Sequence, residues 1–344
     1  MTIPQDFQAA CRMPTCGVAH GMNRRHALAA ALAALGAGLV RAQPTWSPKG
    51  PVRIVVPFAA GGTSDIIARI VGVRLAEALG QPVLVDNRVG AGGNIGIASV
   101  ARAALDGQTL LLVSSAFVTN PALFADKPPY DPLRQFAPVS LAVSSPDVIV
   151  VPATGPLTSL SALIDTAKRR PGALTYSTPG KGNSVHLGGE LLWQRAGIEL
   201  LHVPYNGAAP AVQAVLGGQV DCALTALPAA KAHIAAGTLR VLAVGSRARW
   251  AELPQVPTVA ESGFAGYRSE TMQALFAPAG TPVAAIERLH TEVRRILALD
   301  DVQRQTRELG FETVASLPAD LAARVAEDVP RWTAVASRAR IRAD

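Results

Sequence analysis

Val52-Arg53-Ile54-Val55-Val56-Pro57-Phe58-Ala59-Ala60-Gly61-Gly62-Thr63-Ser64-Asp65 is the stretch that decides the fold. Its first five residues are mostly β-branched, which favours an extended strand. Pro57 ends the run, because proline has no amide to donate. Gly61 and Gly62 make a turn. From about Ser64 the apolar residues Ile66, Ile67, Ile70, Val71 and Leu75 return at the spacing of one helix face. Thr63 or Ser64 is the expected cap. A strand that feeds a helix through a glycine turn is the building unit of α/β folds.

The same unit recurs on both sides. Pro82 to Val85 reads as a strand, followed by the glycine-rich loop Gly90 to Gly96 and a helix through Ala104. Leu110 to Val113 is a third strand, ending at Ser114-Ser115. A proline-rich stretch, Lys127 to Pro138, precedes a strand at Val148 to Val151 and a second strand–helix series over 157–245. Leu275 to Pro278 is a late strand. Helices are expected at Val283–Leu299, Asp301–Leu309 and Leu321–Ala336, the last kinked at Pro330. This alternation predicts an α/β fold with mostly parallel sheets. The chain of 344 residues is long enough for two lobes, each with its own core.

Composition narrows the function. Hydrophobic residues make up 49% of the chain, which calls for a packed globular fold. Aromatics are only 5%, too few for stacking platforms on nucleic acid. The net charge is +7, but residues 1–42 carry Arg12, Arg24, Arg25 and Arg41 against Asp6 alone. The remainder is closer to neutral, and the run Lys168-Arg169-Arg170 reads as a solvated helix face. No nucleic-acid partner is expected. Residues 22–42 read as an export signal: Arg24-Arg25, the apolar stretch Ala27 to Val40, then Val40-Arg41-Ala42 before cleavage at Gln43. That stretch is shorter than the ~20 residues a bilayer span needs. Met22 is the expected start, with 1–21 an upstream extension. Cys11 and Cys16 fall in the removed segment, which leaves Cys222 alone as a buried, inert thiol.

The loops carry the chemistry. In open α/β sheets, ligands sit beyond the carboxyl ends of the strands. Helix N-termini there offer unbonded amides and a partial positive charge, which suits an anion. Three glycine loops qualify: Ala60 to Thr63, Gly90 to Gly96, and Thr178 to Ser184. Enzyme templates fail on them. Gly90-Ala91-Gly92-Gly93-Asn94-Ile95-Gly96 has its last glycine one place late for a dinucleotide loop and follows the wrong strand. Gly180-Lys181 lacks the rest of a phosphate loop, and Gly182-Asn183-Ser184-Val185-His186 lacks the last glycine of a nucleophile elbow. The histidines do not cluster along the chain, and no spacing suggests a metal site or cofactor. A Ser184–His186–Asp221 triad is the hydrolase alternative; His186 otherwise packs or hydrogen-bonds at a helix start. Asp65, in the first turn of its helix, either favours the helix dipole or orients loop amides.

The ordered motifs together resemble one family. They are Val55 to Asp65 with Arg69, Asn87-Arg88 through Gly96, Asp106 to Leu111, Asn120 to Phe124 and Tyr130-Asp131-Pro132. They continue through Ser177 to Ser184 with His186-Leu187, His202 to Gly207, Leu216 to Asp221, and Phe276 to Pro282. The chain resembles the receptor component of tripartite tricarboxylate transporters, the Bug family of periplasmic solute-binding proteins. The resemblance implies a type II periplasmic-binding fold: two α/β lobes, 43–142 plus 269–344 and 143–268, joined by two crossing strands near Leu141–Ser145 and Tyr267–Met272. It implies no enzyme activity. It implies a monomeric periplasmic receptor, not membrane-embedded, that hands its ligand to the transporter's membrane subunits. Presentation to a sensor protein is the alternative. The implied ligand is a small carboxylate: a dicarboxylate, tricarboxylate, acidic amino acid or aromatic acid. The implied contacts are Phe58, Ala60, Gly61, Gly62, Thr63 and Asp65 on one lobe, with Ser114 and Ser115 helping to select the side group. Thr178, Gly180, Gly182, Asn183, Ser184, Tyr205, Asn206 and Gly207 would close over the ligand from the other lobe. Lys181 either pairs with a second carboxylate or faces solvent.

Overall fold

The structure, a computed structural model, describes residues 46–124 and 128–343. The extension at 1–21, the export signal at 22–42, Cys11 and Cys16 lie outside the described residues. The first part of the chain runs β1 (Val52–Val56), α1 (Thr63–Leu79), β2 (Val83–Asn87), α2 (Asn94–Ala101), β3 (Thr109–Ser114) and α3 (Ala116–Leu123). The middle runs β4 (Phe136–Pro152), α4 (Leu160–Arg169), β5 (Thr175–Thr178), α5 (Ser184–Ala196), β6 (Leu201–Pro204), α6 (Ala208–Leu216), β7 (Cys222–Ala226), α7 (Leu227–Ala235) and β8 (Leu239–Val244). The last part runs β9 (Glu270–Pro278), α8 (Val283–Leu297), α9 (Asp300–Glu308), β10 (Glu312–Thr313) and α10 (Pro318–Arg338).

Two sheets share one strand. In the first, β2, β1 and β3 are parallel, and β9 joins β3 antiparallel. In the second, β6, β5 and β7 are parallel. The long strand β4 pairs antiparallel with β9 through Pro146 and with β7 and β8 from Asp147 onward. The expectation of mostly parallel sheets is therefore corrected. Each lobe's strand–helix series is parallel, but every junction through β4 and β9 is antiparallel. The predicted strand Val148–Val151 is only the end of β4, which is 17 residues long and buried along nearly its whole length. Strands buried on both faces lose the alternating pattern that marks them in sequence. Pro146, which has no amide to donate, is where β4 changes partners. The return path lies beside it: Ser269 N–H donates to the Gly245 carbonyl, and Asp147 and Gly245 amides donate to Ser269 and Asp147 carbonyls.

Helices cover both sheets. Ile54, Ile67, Leu75, Leu110, Leu289 and Val293 form one buried cluster between β1, β3, α1 and α8. Val148, Val150, Val212, Val215, Ala223 and Val244 form another under α6. α10 buries Leu321, Val325, Trp332 and Val335, a stripe with helical spacing, and packs chiefly on α3 and β4. It also buries Asp328, which accepts from Arg268 (2.7 Å) and pairs with Arg331 (2.8 Å) and Arg324 (3.4 Å). Arg324 further pairs with Glu270 at 2.8 Å. This ion cluster ties the second crossing segment to α10.

Candidate functional site

Strand register brings the loops together. Ser114 at the end of β3 pairs with Gln273, and Gln273 pairs with Val143. Ala226 at the end of β7 pairs with Asp147. Val143 and Asp147 are four residues apart on β4, or ~13 Å. The carboxyl ends of both parallel sets thus open on the same short stretch of the crossing strands. Gly182, in the loop after β5, lies against α3: a Cβ there would come 2.9 Å from Leu123 Cδ1.

The loop between β1 and α1 is organised by Asp65. This residue is buried at 2% exposure, whereas Ala59, Ala60, Gly61 and Gly62 are exposed. Asp65 Oδ2 accepts from Gly61 N–H (2.9 Å) and Arg69 Nε (2.9 Å), and Oδ1 accepts from Asn87 Nδ2 (3.0 Å). Asn87 also donates to the Phe58 carbonyl. The Arg69 guanidinium, with help from Gly61 and Asn87, outweighs burial and holds the Asp65 carboxyl below its ordinary range. The expected caps do not form: the N-cap of α1 is Gly62, with no side-chain bond. The Gly61 amide is spent on Asp65, and the Gly62 amide on the Ala59 carbonyl at 3.3 Å. The first helical bond runs from Ile66 N–H to the Gly62 carbonyl, so the amides of Thr63, Ser64 and Asp65 lie ahead of it. Ser64 Oγ donates to buried Gln273 Oε1 at 2.7 Å, joining α1 to β9.

The Gly90–Gly96 loop packs behind this one. A Cβ on Gly96 would sit 2.7 Å from the Arg88 carbonyl and 2.9 Å from Pro57, so only glycine fits. Phe58 packs on Gly93. Asn120 Nδ2 donates to the Gly92 carbonyl (2.9 Å) and Asn94 Oδ1 (2.8 Å). Ser115 is buried and committed to β9: its Oγ donates to the Glu270 carbonyl and accepts from Met272 N–H. Ser114 Oγ accepts from Ala116 N–H at the start of α3.

The Thr178–Ser184 loop is held differently. Asn183 caps α5 by accepting from His186 N–H, and Gly182 N–H donates to His186 Nδ1, both at 2.9 Å. Thr178 Oγ1 donates to the Gly180 carbonyl (2.9 Å) and meets His202 Nε2 (2.7 Å). The rings of His186 and His202 stack at 3.7 Å with planes 12° apart. The expectation that the histidines do not cluster is corrected: Tyr176 and His202 are register partners on β5 and β6, which brings His202 under the start of α5. Asp221 instead accepts from Thr175 at the opposite end of β5, so Ser184, His186 and Asp221 form no triad. Tyr205 enters through its backbone, donating to the Thr178 carbonyl; its ring packs on the second-sheet core and its hydroxyl donates to Gln219. Gly207 N–H donates to the Pro179 carbonyl, while Asn206 and Lys181 are exposed. Cavities of about 690, 580 and 670 Å³ lie elsewhere on the surface and include none of the predicted contact residues.

Residues 67–340 match the family described as tripartite tricarboxylate transporter family receptor, TctC. The chain belongs to this receptor family. The receptor is 39% identical over 325 residues to "UPF0065 protein in tcbD-tcbE intergenic region" of Pseudomonas sp. strain P51, covering 94% of this chain and 96% of that one. It is 37% identical over 289 residues to Protein BugT of Bordetella pertussis, covering 84% and 89%. Among solved structures, R. palustris Rpa4515 with adipate superposes with a TM-score of 0.72 at 36% identity, covering 86% of this chain and 99% of that one. MatC of Rhodopseudomonas palustris with bound malate gives 0.70 at 32% identity, covering 84% and 99%. The Bug-family resemblance and the two-lobed periplasmic-binding fold therefore hold, and the family is one of receptors rather than enzymes. No helix among the described residues is long and apolar enough to cross a membrane. Sequence reasoning missed Gln273 and the His186–His202 stack: both histidines lie in family motifs, but 16 residues of separation hide their contact, and nothing local marks Gln273.

Proposed function

We propose that this TctC-family receptor is exported, captures a small di- or tricarboxylate between lobes 43–142 plus 269–344 and 143–268, and delivers it to membrane subunits of a tripartite transporter. One observation carries the reading. The N-terminus of α1 is uncapped, lies under an exposed glycine loop, and opens toward the crossing strands where the second lobe's loops also converge. Three successive amides at a helix N-terminus suit one carboxylate group. The amides of Thr63, Ser64 and Asp65 are the donors, with Asp65 and Asn87 holding the loop open for them. Gly61 and Gly62 shape the approach instead of gripping the ligand. The Thr178–Ser184 loop and the backbone of 205–207 close over the distal end. Relatives with adipate and malate point to the same ligand chemistry.

Thermal-shift screening of the mature protein against carboxylates and their amide counterparts tests this. A ligand at 100 times its Kd stabilises by ~2.7 kcal/mol, an easily measured shift. At least one di- or tricarboxylate is expected to raise Tm while its neutral amide does not. Stabilisation by a neutral sugar or peptide, with none by any acid, would overturn the ligand class.

A further inference from the structure

We propose that His186 is a positioning residue for the ligand-facing loop, acting through its neutral ring as the acceptor that fixes the Gly182 amide. The proposal rests on the reading of Thr178–Ser184 as a ligand loop. His186 itself touches no part of the proposed carboxylate site.

The bonds assign the protons. Gly182 N–H points at His186 Nδ1, so that nitrogen carries no hydrogen and the ring proton sits on Nε2. His186 Nε2 faces Glu190 Oε1 at 3.7 Å, and Tyr176 donates its hydroxyl to the same Glu190 oxygen. Thr178 Oγ1 lies within hydrogen-bond distance of both the Gly180 carbonyl (2.9 Å) and His202 Nε2 (2.7 Å), which links the second ring to the loop. Each ring is therefore tied to the loop on one side and to the other ring at 3.7 Å on its face, and His186 is held in one tautomer. The loop hangs from this pair at two points, Gly180 and Gly182, which flank Lys181. Gly180 and Gly182 have φ of 157° and 77°. The second of these lies in the left-handed region and needs an external restraint to hold one conformation.

The surroundings keep the ring in the state this requires. Burial, then His202 and the Lys181 charge, push His186 down to about 3, and burial pushes His202 down to about 4. A protonated His186 would turn Nδ1 into a donor facing another donor. Two cationic rings stacked face to face would also repel each other. Neutral, the pair is a stiff post for the loop.

The test compares His186→Asn, whose Oδ1 occupies the place of Nδ1, with His186→Gln and His186→Phe, which put no acceptor there. Amide exchange at Gly182 is read in each, along with Kd for adipate and malate. In His186→Phe and His186→Gln, Gly182 exchange is expected to speed up at least about tenfold and affinity to fall about tenfold, the worth of one buried hydrogen bond. His186→Asn should stay within about threefold of the parent in both. If His186→Phe fails to fold, the Asn–Gln pair carries the test. Wild-type exchange and affinity in the Gln variant, or equal losses in Asn and Gln, would overturn the proposal. If the parent binds no carboxylate, the functional reading falls, and exchange at Gly182 alone still decides whether His186 positions the loop.

Discussion

Replacing Asp65 with Asn keeps the shape of the side chain and removes one acceptor. In the wild type, both carboxylate oxygens face donors: Gly61 and Arg69 on Oδ2, Asn87 on Oδ1. Whichever way the new amide lies, its NH2 faces a donor. If it faces Asn87, that residue can turn only by giving up the Phe58 carbonyl, which it holds at 3.0 Å. If it faces the other way, the Gly61 amide is left without a partner. One charge-assisted bond lost beside one partly buried unpaired donor costs ~1.5–3 kcal/mol. The Arg69 side chain is 54% exposed, so solvent screens its ion pair and it adds little. The expected loss is therefore ~1.5–3 kcal/mol, read by urea unfolding at pH 7. Because the folded carboxyl lies below its ordinary value, this stabilisation is present above pH ~4 and is lost as pH falls through the lower folded value. The gap between wild type and variant should hold from pH 8 to 5 and close in stronger acid. Loosening the Ala59–Gly62 loop should also weaken carboxylate binding by about tenfold or more. Equal unfolding curves at pH 7, with equal affinity, would refute the role given to Asp65.

Three further variants probe the frame. Burial pushes Asp147 on the crossing strand up to about 6, against bonds from Ser269 and Thr271. Carrying its charge at pH 8 costs up to ~3 kcal/mol, so Asp147→Asn should stabilise by ~1–3 kcal/mol there. That advantage should shrink from pH 7 to 4.5 as the wild-type carboxyl takes up its proton; a variant less stable at both ends contradicts the assignment. Asp328→Asn strips the shared anion from Arg268, Arg324 and Arg331 and should cost ~3–5 kcal/mol by calorimetry; a loss below ~1 kcal/mol would show that the cluster is dispensable. Gly96→Ala forces a Cβ onto the Arg88 carbonyl and Pro57 and should cost ~1–3 kcal/mol in urea. Wild-type stability there would mean that the loop shifts freely.

What the sequence showed depended on range. The start of α1 and the glycine loop were legible because a β-branched run, a proline, two glycines and a helical stripe follow one another within a few residues. The cap was not: Gly62 wins over Thr63 and Ser64 because the Asp65–Gly61 bond closes the turn first. β4 was read as a fraction of its length, because a strand buried on both faces shows no alternation and its prolines look like breaks. The antiparallel joins, the Gln273–Ser64 bond and the stack of His186 on His202 are long-range products of register. No spacing along the chain encodes them. The glycine loops themselves were ambiguous, and the structure divides their labour: Gly61 and Gly62 consume their own amides, and the next three residues keep theirs ahead of the helix.

That division is tested most directly by a crystal structure of the mature protein with whichever panel acid stabilises it most. The expected result is a ligand carboxylate within about 3.2 Å of the amides of Thr63, Ser64 and Asp65, with the Thr178–Ser184 loop against its far end. A ligand held away from the start of α1, or one whose carboxylate is gripped only by charged side chains, would contradict it.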